Sequence, residues 1–182
     1  MGARGNSGVI LSQVLRGLME VMAASGSEDG TVDGRVLADG LASASAAAYA
    51  AVMRPVEGTI LTVVRESSAA ALGAAEEGGD LLAVAEAART AGGEALERTP
   101  ELLPVLAEAG VVDAGGSGYL LLLDAFLTVV DGRPLPEPPE VSGPVVGRAG
   151  DAHPPGQDGT RYEVMYFLDP PDDEVPGFKE AW

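Results

Sequence analysis

The sequence contains no cysteine, which excludes disulfides and thiolate metal sites within the chain. Aromatic residues make up only 4%. A β-sandwich would want more Val, Ile, Tyr and Phe. The abundance of Ala and Leu instead favours helices packed through small side chains. Positive charge is scarce as well: 11 Lys and Arg stand against 28 Asp and Glu, for a net charge of -17. Such a surface repels phosphate backbones and argues against nucleic acid as a partner, although solvation by carboxylates is the ordinary origin of an acidic composition. Apolar runs such as residues 119–123 are far too short to span a bilayer, so no membrane span is expected. Met1-Gly2-Ala3-Arg4-Gly5 offers no apolar signal-peptide core, and Asn6 stands where a myristoylation signal wants Ser or Thr. A cytoplasmic protein is therefore expected.

Catalytic constellations are lacking too. The one histidine, His153, lies beside Pro154-Pro155, a setting for a solvated side chain. Ser7, Ser67, Ser68 and Ser117 have no plausible His partner for nucleophilic catalysis. Asp172-Asp173-Glu174 is an acidic run without a second ligand cluster, and Arg65-Glu66 reads as a solvated helix face. No metal ligands are assigned within the chain.

What remains is a strong helical pattern in 182 residues, 46% of them hydrophobic. That length suits one ordinary domain plus an extension. In residues 8–24, Val9, Ile10, Val14, Leu15, Leu18, Val21 and Met22 recur at three- and four-residue spacing, with Asn6 or Ser7 able to cap the start. A second helix is predicted over 33–53, capped by Asp33 and stopped by Pro55. Its Ala-rich middle lets a neighbouring helix come close. A third is predicted from Gly58 or Thr59 to about Glu77, and a fourth, capped by Asp80, to about Arg98. Thr99-Pro100-Glu101 places Thr at the N-cap and Pro at the first position of a short fifth helix. A loop over 111–118 then leads into a sixth helix ending near Val130.

At Gly132 the composition changes. Residues 132–160 hold seven Pro with many Gly and charges and show no period, as an extended linker would. In residues 161–168, Tyr162, Val164, Tyr166 and Leu168 alternate like a strand. One strand is not stable alone, so 161–182 reads as the start of a second domain.

Three Gly-rich segments interrupt the helices: Gly2-Ala3-Arg4-Gly5-Asn6-Ser7-Gly8, Arg54-Pro55-Val56-Glu57-Gly58-Thr59-Ile60, and Val111-Val112-Asp113-Ala114-Gly115-Gly116-Ser117-Gly118. Glycines let backbone approach a ligand, and free N–H groups at a helix start favour an anion, with phosphate the natural candidate. An ordinary capped turn is the commoner origin of each segment taken singly. The first is not a Walker A loop, since the Lys-Ser/Thr pair is missing and no strand precedes it. Asp113 can either cap a helix or accept hydrogen bonds from a ribose. If the helices run up and down, the three segments share one rim.

Together these segments resemble the kinase component of the bacterial fatty acid kinase family, whose N-terminal domain is similar to the L subunit of dihydroxyacetone kinase. The resemblance rests on the first segment continued through Val9-Ile10-Leu11-Ser12-Gln13, on Pro55-Val56-Glu57-Gly58-Thr59-Ile60-Leu61-Thr62, and on residues 111–118. It covers residues 1–131 and returns faintly at 161–168. It implies an all-α, antiparallel up-and-down helical bundle or barrel, here incomplete, with ATP bound over the helix starts at one end. Gly5, Asn6, Ser7 and Gly8 would contact phosphates; Gly58, Thr59 and Ile60 would lie near the adenine; Asp113, Ala114 and Gly115 would border the nucleoside.

The implied reaction moves a phosphoryl group to a fatty acid carboxylate presented by a separate fatty-acid-binding subunit. It depends on Mg to neutralise phosphate charge. The family's Asp-Gly-Asp-Thr-Gly metal segment would lie upstream of Gly2-Ala3-Arg4-Gly5, so the fragment alone is expected to be inactive. A middle-domain Cys of the family is replaced here by Glu163, and an Arg near the nucleoside in the dihydroxyacetone enzyme by Thr99 or Arg98. The alternatives are a dihydroxyacetone kinase L-type subunit or a non-catalytic helical module with a degenerate nucleotide site. A homodimer is left open.

Overall fold

The structure, a computed structural model, describes residues 5–25 and 31–137. Residues 1–4, and everything predicted beyond residue 137, lie outside the described residues. That range takes in most of the linker, the strand at 161–168, His153, Glu163 and the acidic run at 172–174.

Seven helices make up the described fold: α1 (Asn6–Ala24), α2 (Gly34–Ala50), α3 (Ile60–Glu76), α4 (Leu81–Glu97), α5 (Thr99–Leu102), α6 (Pro104–Ala109) and α7 (Ala114–Asp131). All lie within the unit Met1–Leu135. Helix α1 packs on α2, α2 on α3, α3 on α4, and α7 closes over α3 and α4. This is the expected all-α bundle with short connections between antiparallel neighbours.

Small side chains set how closely the helices approach. Ala38, Ala44 and Ala48 of α2, Ala71 of α3, and Ala85, Ala88 and Ala95 of α4 are all buried. Gly17 brings α1 nearest to α2: a Cβ there would lie 2.8 Å from the Ser43 carbonyl oxygen and 2.9 Å from the Ala44 backbone. Leu37, Leu41, Leu61, Val63, Val64, Val84 and Leu127 fill the space between the backbones.

Two of the helix starts behave as expected. The Asp33 carboxylate accepts from Val36 N at 2.8 Å, and that of Asp80 from Ala83 N at 2.9 Å, each satisfying a first-turn N–H. Other boundaries differ from the sequence expectation. Helix α1 is capped by Gly5 at φ 81°, with no side-chain bond, so Asn6 and Ser7 are first-turn residues and not caps. Helix α2 stops at Ala50, three residues short of the expected end.

The predicted fifth helix is two. Pro104 forces Leu103 into extended backbone (φ −127°, ψ 100°) and breaks the helix after Leu102. Thr99 is helical and not a cap; its hydroxyl donates back to the Leu96 carbonyl at 2.7 Å. The loop expected over 111–118 is mostly helix, beginning at Ala114. Its glycines serve packing, since a Cβ on Gly116 would meet Val63 Cγ2 at 2.8 Å and Leu96 Cδ1 at 3.0 Å.

Helices α1 and α7 are long and apolar enough, by length and composition, to cross a membrane. In α7 the charged side chains are Asp124, paired with Arg89 of α4 at 2.6 Å, and Asp131 at its end. The outer face of α7 is apolar, with Leu121, Leu122 and Val129 exposed.

Candidate functional site

A cavity of about 240 Å³ opens where three helices begin. Ser7, Gly8 and Leu11 of α1, Ile60 of α3, and Ala114, Gly115, Gly118, Tyr119 and Leu122 of α7 line it. The three Gly-rich segments therefore meet, because α1, α3 and α7 run in the same direction. At the opposite end α2 and α4 begin side by side: a Cβ on Gly34 would lie 2.7 Å from the Gly79 carbonyl oxygen.

No charged side chain is among these lining residues. The first turns of α1, α3 and α7 hold no acidic residue. Three helix starts thus converge, although the partial positive charge of the α7 start is offset by the Asp113 carboxylate that caps it. The first intrahelical bond of α1 is Val9 N to Gly5 O, so the N–H groups of Asn6, Ser7 and Gly8 have no partner within the helix. Leu11, Ile60, Tyr119 and Leu122 supply apolar walls. The volume falls below that of pockets enclosing a whole drug-sized ligand, so the cavity suits one part of a larger molecule.

The expected site residues separate into two groups. Ser7, Gly8, Ile60, Ala114 and Gly115 line the cavity. Gly5, Asn6, Gly58, Thr59 and Asp113 are not among the lining residues. Gly5 turns the chain into α1. Gly58 is buried at φ 79°, and a Cβ on it would lie 2.8 Å from Leu103 Cβ and 2.9 Å from the Thr99 carbonyl oxygen. The Thr59 hydroxyl donates to the Val56 carbonyl at 2.8 Å and accepts from Leu61 N at 3.3 Å. Of the two roles open to Asp113, the structure shows capping: its carboxylate accepts from Gly116 N at 2.6 Å.

A polar network behind the second segment was not legible in the sequence. Tyr49 and Arg65 donate to one Glu57 carboxylate oxygen at 3.0 and 2.8 Å, and Thr62 donates to the other at 2.5 Å. Thr62 also accepts from Gly58 N at 2.9 Å. Arg65, expected on a solvated face, thus ties α3 to the preceding turn. Burial works against ionisation of Glu57, but the hydrogen bonds from Thr62 and Tyr49 and the charge of Arg65 outweigh it and hold the carboxyl below its ordinary range. Burial, with the bond to Glu57, pushes Tyr49 up to about 12. A Glu five residues before a Thr and eight before an Arg is too common a pattern to single out.

Tyr119 is one of the lining residues, and among the described residues its buried hydroxyl, like that of Ser67, has no hydrogen-bond partner. Burial pushes Tyr119 up to about 12, with the nearby Ser67 hydroxyl offsetting part of the effect. Among the described residues no group of His, Cys, Asp or Glu could hold a metal ion. The residues that line the cavity supply apolar side chains and helix-start backbone and no carboxylate.

Comparison with known proteins places this geometry in context. Residues 1–128 match the DAK2 domain family. Protein YloV of Bacillus subtilis (strain 168) is 44% identical over 137 residues, which cover 75% of this chain and 24% of that protein. An uncharacterized protein of Staphylococcus aureus (strain USA300) is 43% identical over 133 residues, covering 73% of this chain and 24% of that protein. The chain thus spans about a quarter of the length of these curated relatives.

Proposed function

Because the chain belongs to the DAK2 domain family, a family of dihydroxyacetone kinase L-subunit-like proteins, we propose that the cavity end of its bundle binds ATP within a kinase subunit. The observation that carries this reading is the meeting of three Gly-rich segments at the starts of α1, α3 and α7. Backbone N–H groups at the start of α1, together with the side chains of Asn6 and Ser7, would hold phosphate oxygens, as helix starts do for anions generally. Leu11, Ile60 and Leu122 would take an apolar face of the nucleoside. Magnesium would supply neutralisation of phosphate charge, and its ligands are not found among the described residues.

The acceptor in this reading is a fatty acid carboxylate presented by a separate cytoplasmic binding subunit. That part rests on the resemblance of the three motifs, and dihydroxyacetone is the competing acceptor. Calorimetry of ATP binding to the full chain, with and without magnesium, tests the nucleotide reading. Changing Asn6 and Ser7 together to Ala should weaken binding about tenfold, the loss of one or two net hydrogen bonds. Both residues are exposed, so stability should not change with them. Affinity equal to wild type would remove the phosphate assignment. Phosphate transfer in the longer relatives, to fatty acid with its carrier or to dihydroxyacetone with its partner, separates the two acceptors.

A further inference from the structure

Thr99 is fully buried where α4 gives way to α5, and it touches two of the three segments that meet at the cavity. Its carbonyl oxygen lies where a Cβ on Gly58 would fall, at 2.9 Å, so the turn leading into α3 rests directly on the Thr99 backbone. Its hydroxyl has one proton, which it donates to the Leu96 carbonyl at 2.7 Å. That bond orients the oxygen as an acceptor, and it receives the Asp113 N–H at 3.1 Å. The Asp113 carboxylate in turn accepts from Gly116 N. A directed chain of hydrogen bonds thus runs from α4 through Thr99 to the first turn of α7.

We propose that Thr99 is a positioning residue for the cavity: its backbone seats the turn before α3, and its hydroxyl fixes the cap of α7. Ile60 on one wall and Ala114 and Gly115 on the other then keep their spacing. A Cβ on Gly115 would lie 3.3 Å from Ile60 Cβ, so the two walls are already close to contact and small shifts change the opening. The sequence pattern suggested Thr99 as a helix cap, and the family resemblance set it or Arg98 where the dihydroxyacetone enzyme has an Arg near the nucleoside. Its effect on ATP rests on the nucleotide reading above, whereas the hydrogen-bond relay does not.

The test compares Thr99→Val, which keeps the shape and removes the hydroxyl, with Thr99→Ser, which keeps the hydroxyl. Val84→Ala, a buried change in the first turn of α4 at the far end, controls for lost stability. Hydrogen exchange in the full chain reads the Asp113 and Gly116 amides relative to those of α2, and calorimetry reads ATP. Thr99→Val should speed exchange at the two amides and weaken ATP binding about fivefold, the share of one ordinary hydrogen bond. Thr99→Ser should restore both, and Val84→Ala should alter neither. Wild-type exchange in Thr99→Val, failed rescue by Ser, or the same loss in Val84→Ala overturns the proposal. So does faster exchange with unchanged ATP affinity. If the wild-type chain binds no ATP, the nucleotide reading falls while exchange still decides the relay. Thr99→Ala carries the same comparison should Val not be accommodated.

Discussion

Gly17→Ala and Gly40→Ala form a matched pair on the α1–α2 contact, and they should give different results. Both replace a helical glycine, so both gain about 1 kcal/mol of helix propensity. At Gly17 the new methyl would sit 2.8–2.9 Å from the Ser43 carbonyl oxygen and the Ala44 backbone. Backbone inside a helix cannot step aside, so α1 must move by roughly 0.5–1 Å to reach ordinary contact, at an overpacking cost of about 2–3 kcal/mol. The net loss is about 1–2 kcal/mol, or roughly 3–8 °C in melting temperature for a domain of this size. At Gly40 the nearest atom is Leu18 Cδ1 at 2.8 Å, the far end of a half-buried, flexible side chain. A rotamer change relieves it, and that variant should melt within about 2 °C of wild type, given the offsetting propensity gain. Thermal melts of the full chain by far-UV circular dichroism measure both. A Gly17→Ala protein as stable as Gly40→Ala would refute the claim that backbone contact sets the α1–α2 distance. Because α1 carries Ser7, Gly8 and Leu11, its displacement should also weaken whatever the cavity binds.

Other consequences follow from the ionised groups. Glu57 has a depressed folded-state pKa, so its contribution is present above the unfolded carboxylate value and is lost as pH falls through the lower folded value. Glu57→Gln should therefore flatten the acid limb of a melting-temperature profile; an unchanged slope would detach Glu57 from the acid response. Arg89→Ala leaves the Asp124 carboxylate, only 11% exposed, without its partner. A loss of about 2 kcal/mol is expected by chemical denaturation, less than for a fully buried pair because Arg89 is one-third exposed. Asp124→Asn in the same background should recover part of it.

The sequence by itself determined the long helices, though α2 stops three residues short of its expected end and the expected fifth helix is two. Apolar spacing and the caps Asp33 and Asp80 are local signals, and local signals survive without knowledge of the fold. It also singled out the three Gly-rich segments, though not what each glycine does. Gly5 and Gly58 adopt positive φ, a backbone requirement that sequence can suggest. Gly116 is required because Val63 and Leu96 occupy the space a side chain would need, and both come from other helices. That explains why a glycine-dense stretch expected to be a loop is the first turn of α7.

Tertiary structure alone decided which expected site residues reach the cavity. Asp113 and Thr59 spend their side chains on capping, while Ser7, Ile60 and Gly115 face the shared space. It also decided that Thr99, Glu57 and Arg65 matter, since their partners lie 5 to 16 positions away along the chain. A residue's propensity depends on its neighbours in sequence, but its hydrogen-bond partners depend on which helices the core brings together.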